Sequence, residues 1–293
     1  MTGAGSGAAR QPKPVGVAVL GRGLLARRAR AAIRRLSATR NVFVSPDPDG
    51  ARVVLLALTE PAAADFLAAN QELAGDRLVY DFSGYTKTPP QRAASGLASY
   101  ALGQALFGAE PCRTAGVIPV PACYASAVLV PLWYLHRYHA QAVTGLHVSA
   151  IGGRSTLGAS GVLAPRSFRT ASAASEELHR TEVLTYLPYR LRYCDLRIAV
   201  GDLHSGIIAT GTIMTTPGTR VPPVSVSLSP LDFTWTREDG PQAGLAMPGR
   251  QPAACRFSIA PSGEDGQLRL TSYIHNLDFP LSVACAHSAR VIG

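Results

Sequence analysis

A cysteine that follows two prolines is the residue of this chain best placed to do chemistry. The stretch 116–126 runs from a short β-branched segment through Pro119 and Pro121 to Cys123, and a segment of helical composition follows. Proline is disfavoured inside a strand but is accepted in the first turn of a helix, so the pattern predicts a helix that begins at or just before Cys123. The positive end of a helix favours a thiolate, which would make Cys123 an acidic nucleophile. The alternative is a buried structural cysteine, the commoner role of a free thiol.

A second chemistry-bearing pattern lies near the start of the chain, where Gly21-x-Gly23-x-x-Ala26 separates a predicted strand over 15–20 from a predicted helix. This is the setting of a dinucleotide-binding turn. Gly21 would allow the tight turn, Gly23 the approach of a pyrophosphate, and Ala26 close packing of helix on strand. Arg22 would lie near the phosphates, where it can assist or obstruct. The alternative is a doubly wound fold whose glycine turn binds nothing.

The segment Pro121-Ala122-Cys123-Tyr124-Ala125-Ser126 resembles the active-site segment of the N-acetyl-γ-glutamyl-phosphate reductases, relatives of aspartate-semialdehyde dehydrogenase. In that family the segment reads Asn-Pro-Gly-Cys-Tyr-Pro-Thr, and its cysteine attacks an acyl phosphate. Other segments follow in the family's order, so the resemblance covers most of the chain. It implies an α/β fold: a Rossmann-like N-terminal nucleotide domain, followed by an α+β catalytic and dimerisation domain of semialdehyde-dehydrogenase type.

The chain has the composition of a globular protein, with 293 residues of which 47% are hydrophobic and 16% charged. We expect a flexible tail over 1–14, a nucleotide domain over 15–122 and a catalytic domain over 123–274. A C-terminal helix within 275–293 would pack back on the nucleotide domain, as the resemblance implies. The stretch 212–250 is rich in proline, serine and glycine, which predicts a loop-laden insertion before the last strands.

The resemblance also implies further site residues. Ser83 lies in a segment similar to the family's Asp-Leu-Ser, beside the nicotinamide, and Asn276 lies in one similar to its Asp-Asn-Leu-Val-Lys-Gly. We therefore expect both to contact the cofactor. Residues 152–158 are similar to the family's Ser-Gly-x-Ser-Gly-Ala-Gly loop, which implies substrate contacts from Arg154 and Ser155. Arg154 can hold a carboxylate or phosphate through two hydrogen bonds; otherwise it is a solvated loop arginine.

The acid–base histidine of that family has no counterpart at its expected place. The family's His-Arg-His-Thr-Pro-Glu segment falls on residues 171–176, which contain no histidine. His179, just downstream, and His204, beside a segment similar to the family's Arg-Gly-Ile, are the candidate catalytic replacements. The alternative for His179 is a histidine on a polar helix surface. Proton transfer typically contributes about 10²–10⁴-fold, so its loss would slow turnover without necessarily abolishing it.

Charge and cysteine content exclude several other classes of protein. The net charge of +9 comes from scattered arginines, with only Lys13 and Lys87 as lysines, which argues against a nucleic-acid-binding arm. Five cysteines without a Cys-x-x-Cys pair indicate neither a disulfide framework nor a zinc site, so we expect no metal and a reduced, cytoplasmic protein. No apolar run is long enough to span a membrane, and the first residues lack a signal-peptide core.

The resemblance predicts an oxidoreductase that reduces an activated acyl group, an acyl phosphate or thioester of an amino-acid derivative, to an aldehyde through a Cys123 thioester. Its cofactor would be NADP or NAD. The family usually prefers NADP, but no arginine or lysine directly follows Val44 to hold the extra phosphate. The alternative is a non-reducing homologue, either a scaffold or binding subunit or a cysteine acyl transferase. We expect a small-molecule substrate, no nucleic-acid or membrane partner, and a homo-oligomer, as is usual in the family.

Overall fold

A parallel sheet forms the first layer of the protein, seen in a computed structural model. The structure describes residues 14–37, 41–87, 106, 116–139, 143–153, 169–187, 190–201, 206–228, 235–237 and 254–292. The strands of this sheet are β1 (Val15–Leu20), β2 (Val42–Ser45), β3 (Val53–Leu56), β4 (Leu78–Asp81) and β5 (Gly116–Pro119). They lie in the order β2-β1-β3-β4-β5, and every neighbouring pair is parallel. Strands β3, β4 and β5 are buried along their whole length, because both faces of a parallel sheet are covered.

Helices cover this sheet and set its connections. They are α1 (Leu24–Ser37), α2 (Glu60–Ala69) and the single turn α3 (Leu73–Asp76). Helix α1 buries Ala26, Ala29 and Ile33, which recur at helical spacing, and its arginines lie on the other faces. No helix lies between β2 and β3, so residues 46–52 alone carry the chain across β1, as the short spacing in the sequence predicts.

The second half of the protein is built on an eight-stranded mixed sheet. Its strands are β6 (Val143–Gly152), β7 (Arg169–Thr170), β8 (Tyr193–Val200), β9 (Ile207–Thr215), β10 (Val224–Leu228), β11 (Trp235–Arg237), β12 (Cys255–Pro261) and β13 (Gln267–Ile274). They lie in the order β11-β10-β12-β13-β9-β6-β8-β7. The pair β6–β8 is parallel and the other neighbours are antiparallel. The fold class predicted from the sequence is therefore confirmed.

One nearly all-apolar helix, α4 (Cys123–His139), forms the centre of the core beside α5 (Ala173–Tyr186). A helix that is hydrophobic on every side is stable only when it is buried on every side. The ring of Tyr134 packs edge-on against Phe257 of the mixed sheet, and Trp133 Nε1 donates to the carbonyl of Tyr186 at the end of α5. The buried residues of α4 are Tyr124, Ala125, Ser126, Ala127, Val128, Leu129, Val130, Pro131, Leu132 and Leu135.

The last helix, α6 (Asp278–Ile292), contacts the first sheet layer. Arg28 of α1 forms a two-pronged ion pair with Asp278, at 2.6 Å from Nε and 2.8 Å from Nη2. Deeper in the interface, the hydroxyl of Tyr80 on β4 lies 2.7 Å from His287 Nδ1 and accepts from Ser288 Oγ at 2.8 Å. The chain thus returns to the first sheet layer after the mixed sheet is complete. The residue bounds given above for the domains remain a prediction.

The stretch 212–250, predicted as a loop-laden insertion, also contains strand residues. Residues 212–215 complete β9, whose register with β13 continues to Met214 opposite Gln267, and 224–228 form β10. The cause is pairing with strands distant in the sequence, which outweighs the local proline and glycine content. The predicted tail of 1–14 lies outside the described residues except for Pro14. Within the ranges described, no helix is long and apolar enough to cross a membrane.

We predict that Tyr80→Phe lowers the free energy of unfolding by about 1–3 kcal/mol, because it removes the hydroxyl that His287 and Ser288 contact in a buried interface. Denaturant unfolding followed by circular dichroism measures this change. Tyr193→Phe is the matched control, since Tyr193 is half exposed and its hydroxyl loss should change the value by less than about 0.5 kcal/mol. Equal stability of the two variants would contradict the importance of this contact.

Candidate active site

Strand β5 and helix α4 place Cys123 at the centre of the molecule. Pro119 ends β5 opposite Asp81 of β4, and the Val120 N–H donates to the Asp81 carbonyl at 2.9 Å. The chain then turns, and the carbonyl of Ala122 accepts the first helical hydrogen bond, from Ser126 N at 2.8 Å. Cys123 is thus the first residue of the helix, which confirms the helix start predicted from the two prolines.

A buried carboxylate occupies the start of this helix. Glu182 of α5 is 3% exposed, and its Oε1 accepts from the backbone N–H of Ala122 at 2.8 Å. Its Oε2 lies 3.6 Å from His179 Nδ1. Burial raises the pKa of Glu182, but the charge of Lys87 and the contacts with His179 and Ala122 outweigh it and hold that pKa below its usual range. Glu182 is therefore ionised at neutral pH.

A buried lysine follows β4, in the 3₁₀ turn Tyr85–Lys87. This turn is fixed by Asp81, whose two carboxylate oxygens accept from the backbone N–H groups of Ser83 (2.8 Å) and Thr86 (2.9 Å). The hydroxyl of Tyr186 donates to the carbonyl of Lys87 at 3.3 Å. Lys87 is consequently held between β4 and α5 rather than in solvent.

Lys87 and Glu182 are site residues that the sequence did not predict. Lys87 is one of two lysines in an arginine-rich chain, and that rarity was the only signal in the sequence. Glu182 looked like any glutamate on a polar helix. Both charges nevertheless act on Cys123: Lys87 favours ionisation of its thiol to the thiolate, and Glu182 opposes that ionisation. A cation, an anion and a thiol thus share one buried site.

His179 contacts Tyr124, which follows Cys123, and is linked through Glu182 to Ala122, which precedes it. Its ring centroid lies 5.2 Å from that of Tyr124, and its Nδ1 faces Glu182, which in turn holds Ala122. His179 Nδ1 is buried and makes no hydrogen bond within the part of the chain that the structure describes. The other predicted residues of this region, His204, Arg154 and Ser155, lie outside the described residues.

Tyr124 joins the start of α4 to the mixed sheet. Its hydroxyl donates to the carbonyl of Ala199 on β8 at 3.1 Å. Gly152 leaves room for this hydroxyl, since a Cβ on that residue would lie 2.1 Å from it. The contact ties the first turn of α4 to the end of the mixed sheet, so Cys123 is held by rigid elements on both sides.

The ionisation of Cys123 differs from the sequence-based expectation. Burial raises the pKa of its thiol to about 11, and the opposing effects of Lys87 and the Tyr124 N–H are smaller. The expected acidic thiolate at a helix start is therefore corrected: the Glu182 carboxylate already lies at the positive end of the helix, and burial disfavours the charged form of the thiol. At neutral pH Cys123 is a thiol, and a nucleophilic role requires a group that accepts its proton.

The predicted nucleotide turn has the expected geometry. Gly21 has φ of 119°, and a Cβ there would lie 2.1 Å from the carbonyl oxygen of Ala57, so only glycine fits. Ala26 is fully buried where helix and strand meet. By contrast, a Cβ on Gly23 would meet no atom within 4 Å. The space beside Gly23 at the start of α1 is therefore open, and Arg22 next to it is exposed; binding of a pyrophosphate there remains a prediction.

Ser83 and Asn276, the two residues expected to contact the cofactor, both have structural contacts. Ser83 Oγ donates to Asp81 at 2.5 Å and accepts from Tyr85 N at 3.1 Å. Asn276 is buried, and its Oδ1 accepts from the N–H of Gly206 at 3.0 Å. Contact of either residue with a cofactor remains a prediction.

Other chemistry-bearing side chains are dispersed. Among the described residues, Cys123, Cys194, Cys255 and Cys285 form no disulfide, and Cys112 lies outside the described residues. Among the described residues no three histidine, cysteine, aspartate or glutamate side chains are grouped so that they could hold a metal ion.

No family model and no curated protein matches this sequence, but solved structures share its fold. A probable aspartate-semialdehyde dehydrogenase from Pseudomonas aeruginosa is 13% identical, with a TM-score of 0.61 over 95% of this chain and 99% of that one. Aspartate semialdehyde dehydrogenase II of Vibrio cholerae, solved in complex with ASA, is 11% identical, with a TM-score of 0.62 over 96% and 98% of the two chains. The Candida albicans enzyme, solved with NADP, is 12% identical, with a TM-score of 0.62 over 95% and 99%.

The protein thus has the semialdehyde-dehydrogenase fold, with a Rossmann-like N-terminal layer. The matched structures are aspartate-semialdehyde dehydrogenases. The reductases that the sequence resembles are relatives of these enzymes. At these identities the likeness defines the fold alone.

We predict that alkylation of Cys123 by iodoacetamide rises about tenfold per pH unit from pH 7 to pH 10, whereas a cysteine with a pKa of about 8.5 would level off. Lys87→Gln should slow alkylation about tenfold at a given pH, because loss of the cation raises the pKa of the thiol further. Mass spectrometry of the Cys123 peptide measures the rate. Arg27→Gln, at an exposed position, is the control, and equal rates in the two variants would contradict this role of Lys87.

Proposed function

We propose that this protein is an NADP- or NAD-dependent reductase that converts an activated acyl group of an amino-acid derivative, an acyl phosphate or thioester, into an aldehyde. The observation that carries the proposal is the placement of Cys123 at a helix start, with Lys87, Glu182 and His179 around it, in a semialdehyde-dehydrogenase fold. Of the activated acyl groups, we favour an acyl phosphate.

The side chains of the site supply the steps of nucleophilic catalysis. His179 accepts the thiol proton of Cys123, and Lys87 stabilises the thiolate that results. The sulfur attacks the acyl carbon, the carbon–oxygen bond to phosphate breaks, and an acyl-Cys123 thioester remains. NADPH, when bound, supplies the hydride that reduces this thioester. Cys123 then departs as a thiolate and recovers its proton from His179, while the released phosphate takes up one proton from solvent, so that acyl phosphate, NADPH and one proton give aldehyde, phosphate and NADP⁺.

The cofactor would be held by the glycine turn. Gly21 shapes the turn, and Gly23 leaves open the space where the pyrophosphate meets the start of α1. We assign Arg22 to the phosphates, and Ser83 and Asn276 to the nicotinamide end. The Candida albicans dehydrogenase of the same fold was solved with NADP, which supports this class of cofactor.

The substrate contacts that we propose rest on the sequence. Arg154 and Ser155 would bind the carboxylate or phosphate of the substrate, with His204 as a further acid–base candidate. The Vibrio cholerae dehydrogenase of this fold was solved with ASA, which supports a small amino-acid-like substrate. A cytoplasmic location and a homo-oligomeric state remain part of the proposal.

A non-reducing homologue is the second candidate. The raised pKa of Cys123, to about 11, and the absence of a histidine from residues 171–176 favour it, because both would slow the family's chemistry. Labelling of Cys123 by acetyl phosphate without binding of NADP or NAD would indicate an acyl transferase. Absence of both activities would indicate a scaffold or binding subunit.

We predict that Cys123→Ser abolishes the reaction in its reverse direction, since the thioester can no longer form. The assay follows NADPH absorbance with NADP⁺, phosphate and either aspartate semialdehyde or N-acetylglutamate semialdehyde. Cys194→Ser is the matched control and should retain full activity, because Cys194 lies on β8 outside the site. Full activity of Cys123→Ser would refute the proposed chemistry.

We also predict that Gly23→Val lowers affinity for NADPH by at least about tenfold without loss of thermal stability, because the added side chain enters open space that a pyrophosphate needs. Fluorescence titration with NADPH and thermal unfolding measure the two effects. Gly75→Val is the control, because a Cβ on Gly75 also meets no atom within 4 Å and its φ is not positive, and NADPH affinity should be unchanged there. Undiminished binding by Gly23→Val would place the nucleotide elsewhere.

A further inference from the structure

A buried carboxylate at the start of α4 needs a reason, because isolating an ionised group from water is costly. A helix start is ordinarily capped by the side chain of its own first residues, most often serine, threonine, asparagine or aspartate. Here the capping position is Ala122, and the acceptor is Glu182, from another helix. This arrangement brings a negative charge to a cysteine whose ionisation it opposes. Capping of the helix does not by itself explain why a carboxylate lies beside this cysteine.

His179 supplies the reason. Its Nδ1 faces Glu182 Oε2 at 3.6 Å, longer than a hydrogen bond, and makes no hydrogen bond within the described part of the chain. Catalytic hydrogen bonds are often long before substrate binds and shorten in the reacting complex. When one nitrogen of an imidazole faces a carboxylate, the other is left to exchange a proton with the nucleophile.

We infer that Glu182 is the positioning residue of this site: it holds the Ala122–Cys123 peptide with one oxygen and orients His179 with the other, so that His179 Nε2 carries the proton of Cys123. The inference rests on the proposed function. Within the described residues, the charged and titratable groups facing Glu182 come from three elements: Lys87 from the 3₁₀ turn, Cys123 and Tyr124 from α4, and His179 from α5.

The same carboxylate thus has two effects of opposite sign. Its charge makes the thiol of Cys123 harder to ionise, whereas it stabilises the imidazolium that forms when His179 takes the thiol proton. Removing the charge while keeping the shape should therefore give a cysteine that ionises more readily in an enzyme that turns over more slowly. Neither a purely structural glutamate nor a simple electrostatic brake on the cysteine produces that combination.

Glu182→Gln tests this, since its amide oxygen can still accept from Ala122 N. We expect alkylation of Cys123 by iodoacetamide at pH 8 to become about tenfold faster, and kcat in the NADP⁺-linked oxidation of aspartate semialdehyde to fall by at least about 10²-fold with little change in KM. Glu177→Gln is the matched control: the same substitution, on the same helix, at an exposed residue paired with Arg180. It should change neither rate.

A double variant separates positioning from independent action. If Glu182 acts through His179, then Glu182→Gln added to His179→Gln costs no further kcat. An additive loss, an unchanged kcat in Glu182→Gln, or an alkylation rate equal to that of Glu177→Gln would each overturn the inference. Failure of the proposed function is distinct: no variant and no wild type would form NADPH. If Glu182→Gln is nevertheless alkylated faster in that case, Glu182 affects the ionisation of Cys123 but has no catalytic role.

Discussion

The hydrogen bond from the Ala122 N–H to Glu182 is the contact on which the arrangement of the site depends. It joins the start of α4 to α5 at the point where Cys123 enters the helix. An ionised carboxylate is stable there only because a cation, a helix start and an imidazole surround it. Those requirements in turn fix Lys87 and His179, which come from separate parts of the chain.

The architecture followed from the sequence because its signals are local. Apolar runs mark β1, β3 and β5, and the glycine turn needs only Gly21, Gly23 and their neighbours. The start of α4 was likewise readable from two prolines. By contrast, β10 was hidden in a proline- and serine-rich stretch, because its partners β11 and β12 are what make it a strand.

The electrostatics of the site could not be read in the same way. Helix position alone predicts an acidic Cys123, but its ionisation depends on burial and on charges supplied by Lys87 and Glu182. These two residues lie 36 and 59 positions from the cysteine in the sequence, on either side of it. His179 became a candidate because it lies just downstream of the place where the resembled family carries its histidine, but sequence position does not show which helices meet.

The Arg28–Asp278 and Tyr80–His287 contacts bear on how the protein is made. They join residues 250 and 207 positions apart, so the first sheet layer lacks its final cover until residues 278–287 have been synthesised. Contacts this distant in sequence slow folding, because a long loop must close before they form. During synthesis, the flank of the first sheet layer around β4 therefore remains uncovered for a time. In that period a chaperone can bind there.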